Sequence, residues 1–191
     1  MRELPDEGMK LIKSNLIVES SEGLNACYDE NGKSHIYVPF AFAFCHFELP
    51  VTKISIEDGG EFKTLLRDDQ IEIYNQALDS LRNTNSIIIA SYPGFGKTVT
   101  AIKLICALNV TTLIVVNKLI LVDQWIEAVK KFSDLNIKYL KNFKDEINDS
   151  YGVYIINAIN LRKYEKDHFK SVKLLIVDEL HQIITKVLSK N

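Results

Sequence analysis

The sequence predicts an α/β fold, in which a parallel sheet is covered by helices and is preceded by a small β-rich domain. Beyond the pair Gly59-Gly60, short and wholly apolar runs alternate with longer segments of helical periodicity, and this is typical of parallel strands buried on both faces. Before the pair, strand-like runs flank Asn31-Gly32, which is the strongest short signal for a β-hairpin. We therefore expect two domains, residues 1–60 and residues 61–191.

The predicted elements follow one another along the chain. In the first domain, the runs around Asn31-Gly32 and the alternating run 51–57 (VTKISIE) are predicted strands. In the second domain, Asp68-Asp69 can cap a helix over 70–81 that has Ile71, Tyr74, Ala77 and Leu81 on one face. The other predicted helices are 98–108 and 119–132, and the predicted strands are 86–90 (SIIIA), 111–116, 153–157 and 173–178.

The composition restricts the class of protein. The 191 residues are 47% hydrophobic and 25% charged, which is enough to bury a core and argues against disorder. The net charge of −2 argues against a protein that only coats nucleic acid, since such proteins are strongly basic. Cys27, Cys45 and Cys106 have no C-x-x-C spacing, which indicates reduced thiols.

The same reasoning gives an expected location. The most apolar run, 38–47 (VPFAFAFCHF), is too short to span a bilayer, and the N-terminus lacks the pattern of a signal peptide. We expect a soluble, intracellular protein with no membrane partner. If the protein is viral, the host cytoplasm and the virion are the expected compartments.

The segment 91–98, SYPGFGKT, follows an apolar run and precedes a predicted helix, which is the context of a phosphate-binding loop. Gly94 and Gly96 let the backbone approach phosphate oxygens, and amides at the helix N-terminus point at the anion. Lys97 would reach the β- and γ-phosphates, and the Thr98 hydroxyl would ligate Mg²⁺. The alternative is a tight strand-to-helix turn with a surface lysine. The candidate nucleotide contacts in this loop are Pro93, Gly94, Phe95, Gly96, Lys97 and Thr98.

A second motif, DELH, follows the apolar strand that ends at residue 177. A carboxylate at the tip of a buried parallel strand lies where α/β folds place ligands. Asp178 is therefore a candidate for holding Mg²⁺, and Glu179 for deprotonating an attacking water. Alone, the pair could be an ordinary loop start, but a phosphate loop in the same predicted sheet makes each motif support the other.

Together, the two motifs resemble those of superfamily-two helicases and translocases of the DExH type, in which the first loop position is commonly Ala or Ser, as at Ser91. The resemblance implies a RecA-like P-loop sheet, ATP and Mg²⁺ as cofactors, and ATP hydrolysis with Lys97, Asp178 and Glu179 as catalytic residues. Within the superfamily, the pattern is similar to phage recombination, transcription-repair and poxvirus-type transcript-release DNA helicases. Several of these have a small β-containing domain before the motor.

Three further segments resemble motifs of this superfamily. LLRDDQ resembles its adenine-reading segment, which implies that Arg67 and Gln70 contact the nucleotide. LIVVNKLILVDQW resembles the segment that follows the nucleic-acid backbone, and YIINAINL the next one. The nucleic-acid contacts implied in these two segments are Asn117, Lys118, Gln124 and Asn157. For Gln124 and Trp125 an amphipathic helix with a buried tryptophan is an equally good interpretation.

The resemblance also implies parts that this chain does not contain. Motors of this superfamily have two RecA-like halves with ATP between them, and the second half supplies arginine fingers. We expect the chain to hold an incomplete first half that is inactive alone, either as a fragment or as a natural truncation. The partner would be nucleic acid, with DNA favoured over RNA but both left open. The alternatives are a nucleotide- or nucleic-acid-binding module without turnover and, less favoured, an unrelated P-loop ATPase.

Overall fold

The computed structural model describes residues 6–20, 23–26, 29–31, 35–37, 46–47, 60–142, 144–147 and 152–183. The chain divides into two compact units, residues 1–51 and residues 52–191. Residues 51–59 lie outside the described residues. The domain boundary predicted at Gly59-Gly60 and the strand predicted over 51–57 therefore stay predictions. No helix in the described part of the chain is both long and apolar enough to cross a membrane.

In the described residues of the first unit, a helix is followed by two small antiparallel sheets. Helix α1 (Asp6–Leu16), which the sequence did not predict, is followed by β1 (Ile17–Ser20) paired with β2 (Gly23–Ala26). Strand β3 (Asp29–Asn31) pairs with β4 (His35–Tyr37). The register of the second pair sets Asn31 opposite His35, so the predicted hairpin is confirmed.

The second unit is built on a parallel four-stranded sheet with the strand order β6-β7-β5-β8. Its strands are β5 (Thr112–Val116), β6 (Ile137–Tyr139), β7 (Val153–Asn157) and β8 (Leu174–Val177). All residues of the two central strands, β5 and β7, are buried, as their continuous apolar runs predicted. The pairing of β5 with both neighbours brings the carboxyl ends of β5, β7 and β8 to one edge. This is the edge at which parallel sheets bind ligands.

The helices in the described part of this unit are α2 (Asp68–Thr84), α3 (Lys97–Leu108), α4 (Leu119–Phe132) and α5 (Ala158–Leu161), with a 3₁₀ helix at Lys166–Phe169. Side chains alternate across β5, so Ile114 packs with residues of α3 and α4, while Leu113 packs in a second cluster with Leu140 and Tyr154. Burying each such large apolar side chain contributes about 1.5–3 kcal/mol. The two clusters therefore fix the register of the sheet.

The predictions for two elements were wrong in part. Residues 86–90 are not a strand, because this apolar run pairs with no other strand among the described residues. Ile87 and Ile89 pack against α2 and α3 instead, and Ile88 is 80% exposed. The predicted inward face of α2 included Ile71, which is 44% exposed. Gln70 takes the buried position instead, beside the loop described below.

The N-cap of α2 is Arg67 rather than Asp68-Asp69. The Arg67 backbone N–H donates to Gln70 Oε1 at 3.0 Å, which secures the first turn. Both aspartates lie within that turn, where negative charge complements the helix dipole. Strand β6, helix α5 and the 3₁₀ helix are too short to give a clear periodic signal, and the sequence did not predict them.

Cys106 lies in the core between α3 and the sheet, and burial raises the pKa of its thiol to about 11. Because the thiolate is the reactive form, we expect iodoacetamide to leave Cys106 unmodified in the folded protein at pH 8 and to modify it after unfolding in urea. Peptide mass spectrometry identifies the modified residue. Equal rates of Cys106 modification in the folded and the unfolded chain would contradict the buried placement.

Candidate nucleotide-binding site

The SYPGFGKT loop makes a tight turn directly before α3. The Phe95 N–H donates to the Tyr92 carbonyl at 3.3 Å, and Gly94 and Gly96 have φ values of +84° and +94°. Gly96 is the N-cap of α3, so the unpaired amides of the first helical turn follow it at once. A glycine turn that ends at a helix N-terminus provides the backbone donors and the dipole that phosphate binding uses.

Gly96 also packs against Gln70 of α2. A Cβ atom at position 96 would lie 2.3 Å from Gln70 Nε2, whereas a Cβ atom at position 94 would meet nothing within 4 Å among the described residues. Gly96 is therefore required for its backbone conformation and for its close approach to α2. Gly94 is required for its conformation alone.

This difference gives a matched pair of variants. We expect Gly94→Ala to cost about 1–2 kcal/mol of folding free energy, because alanine resists the left-handed region. Gly96→Ala should cost about 1–3 kcal/mol more, because its Cβ collides with Gln70. Chemical denaturation monitored by circular dichroism measures both losses, and adding Gln70→Ala to Gly96→Ala should recover part of the difference. Equal losses in the two alanine variants would contradict the packing described here.

Arg67 and Gln70 hold the middle of the loop from the α2 side. Gln70 is buried, and its Nε2 donates to the Phe95 carbonyl at 2.9 Å; Arg67 Nη2 donates to the same carbonyl. The Phe95 ring is buried in a T-shaped contact with Tyr92, and the Arg67 guanidinium lies 6.0 Å from its centre. The adenine contact predicted for Arg67 and Gln70 stays a prediction. Arg67 and Gln70 also support the loop through the Phe95 carbonyl, a role that the sequence did not suggest. The burial of Gln70 is the structural feature that indicates this role.

Lys97 and Ser91 offer groups that a phosphate could use. Lys97 Nζ donates to the carbonyls of Ser91 and Tyr92, at 3.0 and 3.4 Å, so the ammonium group lies folded over the loop. Ser91 Oγ is buried and meets no hydrogen-bond partner among the described residues. An unsatisfied buried hydroxyl costs free energy unless a water or ligand pairs with it. The ammonium group and the hydroxyl are groups with which an anionic ligand such as a nucleoside triphosphate could pair.

The DELH segment begins at the carboxyl end of β8. The Asp178 N–H continues the sheet by donating to the Val115 carbonyl at 3.0 Å, and its Oδ2 accepts a hydrogen bond from Trp125 Nε1 at 2.8 Å. Glu179 follows with φ of +52°, which is uncommon for a residue other than glycine. Its Oε2 lies 3.5 Å from His181 Nδ1, and its carbonyl accepts from the Gln182 N–H at 2.8 Å.

The chemistry of Thr98 and Asp178 suits magnesium. The described residues contain no group of three His, Cys, Asp or Glu side chains that could hold a metal by themselves. Mg²⁺ in nucleotide sites is held by one or two protein oxygens, with water and phosphate oxygens completing the octahedron. A threonine hydroxyl at the start of α3 and one carboxylate after β8 are donors of this kind.

The four predicted nucleic-acid contacts differ in exposure. Lys118, the N-cap of α4, and Gln124 are exposed. Asn117 is half-buried and its Nδ2 donates to Gln182 Oε1 at 2.5 Å, while its Oδ1 is buried without a partner among the described residues. Asn157 is buried, and its Oδ1 caps α5 by accepting from the Ile159 N–H at 3.0 Å. Contact with nucleic acid stays a prediction for all four.

The family model described as "Type III restriction enzyme, res subunit" (ResIII) matches residues 63–190, which is more than half of the chain. The chain belongs to the ResIII family. It is 35% identical over 158 residues to the candidate helicase 161L of Invertebrate iridescent virus 6, covering 78% of this chain and 36% of that protein. It is 31% identical over 121 residues to the DNA 3'-5' translocase XPB2 of Sulfurisphaera tokodaii, covering 63% of this chain and 26% of that protein.

Among solved structures, the SWI2/SNF2 ATPase core of Sulfolobus solfataricus in complex with dsDNA matches with a TM-score of 0.57 and 20% identity, over 67% of this chain and 29% of that chain. This likeness confirms the RecA-like α/β fold. The ResIII assignment and the relatives confirm the resemblance to superfamily-two helicases. The chain spans about a third to a half of the length of the first curated relatives that it matches.

Proposed function

We propose that this chain binds Mg-ATP between its SYPGFGKT loop and its DELH segment and is the nucleotide-binding part of a DNA helicase or translocase. The observation that carries the proposal is a glycine turn at the N-terminus of α3, in the same compact unit as a carboxylate pair at the end of β8. The unpaired amides of α3 and the Lys97 ammonium would bind the β- and γ-phosphates. Thr98 and Asp178 would hold Mg²⁺, which when bound neutralises charge on the phosphates.

Glu179 would act as the general base. Its carboxylate would accept a proton from the water that attacks the γ-phosphate, and its position one residue after Asp178 keeps the base beside the metal carboxylate. The contact between its Oε2 and His181 Nδ1 would hold the carboxylate in one orientation. Hydrolysis would then give ADP and phosphate, as expected for the superfamily that the chain resembles.

The proposal includes DNA as the partner. Relatives are named as a DNA translocase and as an ATPase core in complex with dsDNA, which supports a DNA partner for this chain as well. The exposed Lys118 is the N-cap of α4 and lies two residues after the carboxyl end of β5, and the exposed Gln124 lies on α4 itself. With a net charge of −2, the chain would bind the backbone through local contacts rather than through bulk charge.

The test is ATP hydrolysis measured with and without nucleic acid. The assay compares this chain with a longer protein that is extended by any coding sequence continuing in frame after it. DNA and RNA of matched length and sequence are added to each protein. Hydrolysis stimulated by DNA more than by RNA supports the proposal. Nucleotide binding without turnover in either product would instead favour a nucleotide-dependent binding module, and failure to bind ATP would overturn the proposal.

A further inference from the structure

The only tryptophan of the chain forms an unusual contact for a core residue. Trp125 lies on α4 and is 4% exposed, among Val122, Val129 and Ile155. Its indole N–H donates to Asp178 Oδ2 at 2.8 Å. The indole nitrogen can only donate a hydrogen bond, and a buried indole needs an acceptor. A neutral backbone carbonyl would satisfy it, so the choice of a carboxylate as the acceptor calls for its own explanation.

We propose that Trp125 is a positioning residue that fixes the Asp178 carboxylate for Mg²⁺; this inference rests on the proposed nucleotide site. The backbone of Asp178 is anchored, because its N–H donates to the Val115 carbonyl. The side-chain torsions are what remain to be fixed, and a hydrogen bond from the indole fixes them. Because the indole ring is packed in the core, the donor itself has little freedom.

The contact leaves the carboxylate able to bind a metal. An ionised carboxylate has about four acceptor sites on its two oxygens, and the indole occupies one of them on Oδ2. Oδ1 remains for the ion or for a water of its hydration shell. Groups that orient metal-binding carboxylates in this way commonly change metal affinity by about 10–100-fold when they are removed.

A second hydrogen bond joins the same two parts of the chain. Asn117, directly after β5, donates to Gln182, which follows DELH in sequence. The segment 117–125 is therefore attached to the segment 178–182 at both of its ends. Any shift of α4 would move the indole donor relative to Asp178, so Trp125 also connects the proposed nucleic-acid helix to the proposed metal carboxylate.

The variant Trp125→Phe removes the N–H and keeps an aromatic ring. We expect it to weaken Mn²⁺ binding by about tenfold in the presence of a non-hydrolysable ATP analogue, while affinity for the metal-free nucleotide is unchanged. Electron paramagnetic resonance of free Mn²⁺ measures the first quantity, and displacement of a fluorescent nucleotide the second. The matched control is Val129→Ala, which removes core volume from the same helix and cluster without touching Asp178.

The outcomes separate positioning from packing. Weaker Mn²⁺ binding in Trp125→Phe alone supports the proposal. Unchanged Mn²⁺ affinity in Trp125→Phe, or an equal loss in Val129→Ala, overturns it. Absence of nucleotide binding in the wild-type protein would overturn the proposed function, and this inference with it.

A second measurement needs neither nucleotide nor metal. Because Trp125 is the only tryptophan, its fluorescence reports directly on the bond to Asp178. Asp178→Asn, which removes the negative charge from the acceptor, should shift the emission of the folded protein, whereas Asp123→Asn on the exposed side of α4 should not. Identical emission spectra in Asp178→Asn and the wild type would contradict the contact, whatever the result of the nucleotide assays.

Discussion

Lys97→Ala is expected to weaken the binding of Mg-ATP by roughly 30-fold to several thousand-fold, the equivalent of about 2–5 kcal/mol for removing one partner of a desolvated charge pair. Lys97 Nζ already lies over the loop and bonds to the carbonyls of Ser91 and Tyr92. Phosphate oxygens can replace these carbonyls, because they are better acceptors and carry negative charge. Isothermal titration calorimetry with a non-hydrolysable analogue measures the affinity.

The control for this variant is Lys103→Ala. Lys103 lies on the same helix, but its Nζ is 5.1 Å from the centre of the Phe62 ring rather than at the loop. Lys103→Ala removes the same charge and should leave the affinity for Mg-ATP unchanged. If Lys97→Ala binds Mg-ATP as tightly as Lys103→Ala does, SYPGFGKT is a structural turn and not a phosphate-binding loop.

In a longer product that includes any coding sequence continuing in frame, Glu179→Gln should retain nucleotide binding and lose hydrolysis, with a fall in kcat of about 10²–10⁴-fold, the usual contribution of a general base. The amide has the shape of the carboxylate and can keep the left-handed backbone at this position, but it cannot accept a proton. Single-turnover hydrolysis and nucleotide affinity are measured on the same preparation, so that loss of chemistry is separated from loss of binding.

Glu72→Gln is the matched control, because Glu72 is exposed on α2 and accepts a local hydrogen bond from Gln76. It should hydrolyse ATP at the wild-type rate. A wild-type rate in Glu179→Gln would show that another group takes the proton. Weakened nucleotide binding would show that Glu179 contributes to affinity instead.

In the second unit, the sequence predicted helices and strands well where the helical periodicity was long or where an apolar run belonged to a strand buried on both faces. The bounds of α4 agree with the predicted helix, since its apolar side chains recur every three or four residues over four turns. The buried strands β5 and β7 were predicted from apolar runs that two-sided burial requires. The loop and the DELH segment were predicted as a nucleotide site because their residue types suit phosphate and metal chemistry, and that role stays a prediction.

The errors have a common physical cause, since they depend on partners distant in the sequence. The apolar run 86–90 lacks a strand partner among the described residues, and a run alone cannot reveal that. Gln70 turned inward because the Phe95 carbonyl, remote in the chain, satisfies its amide. The bond from Trp125 to Asp178 also joins distant positions, so the tryptophan, for which burial in an amphipathic helix was one of two open interpretations, is buried and is also a hydrogen-bond donor.

The central claim is that the SYPGFGKT loop and the DELH segment form one Mg-ATP site, and a crystal structure with Mg²⁺ and a non-hydrolysable ATP analogue tests it most directly. We predict triphosphate density against the amides at the start of α3, with Lys97 Nζ moved from the Ser91 carbonyl to a phosphate oxygen. The ion should lie between Thr98 and Asp178. A nucleotide bound elsewhere, or a Lys97 that keeps its bonds to the loop carbonyls beside a bound nucleotide, would contradict the account.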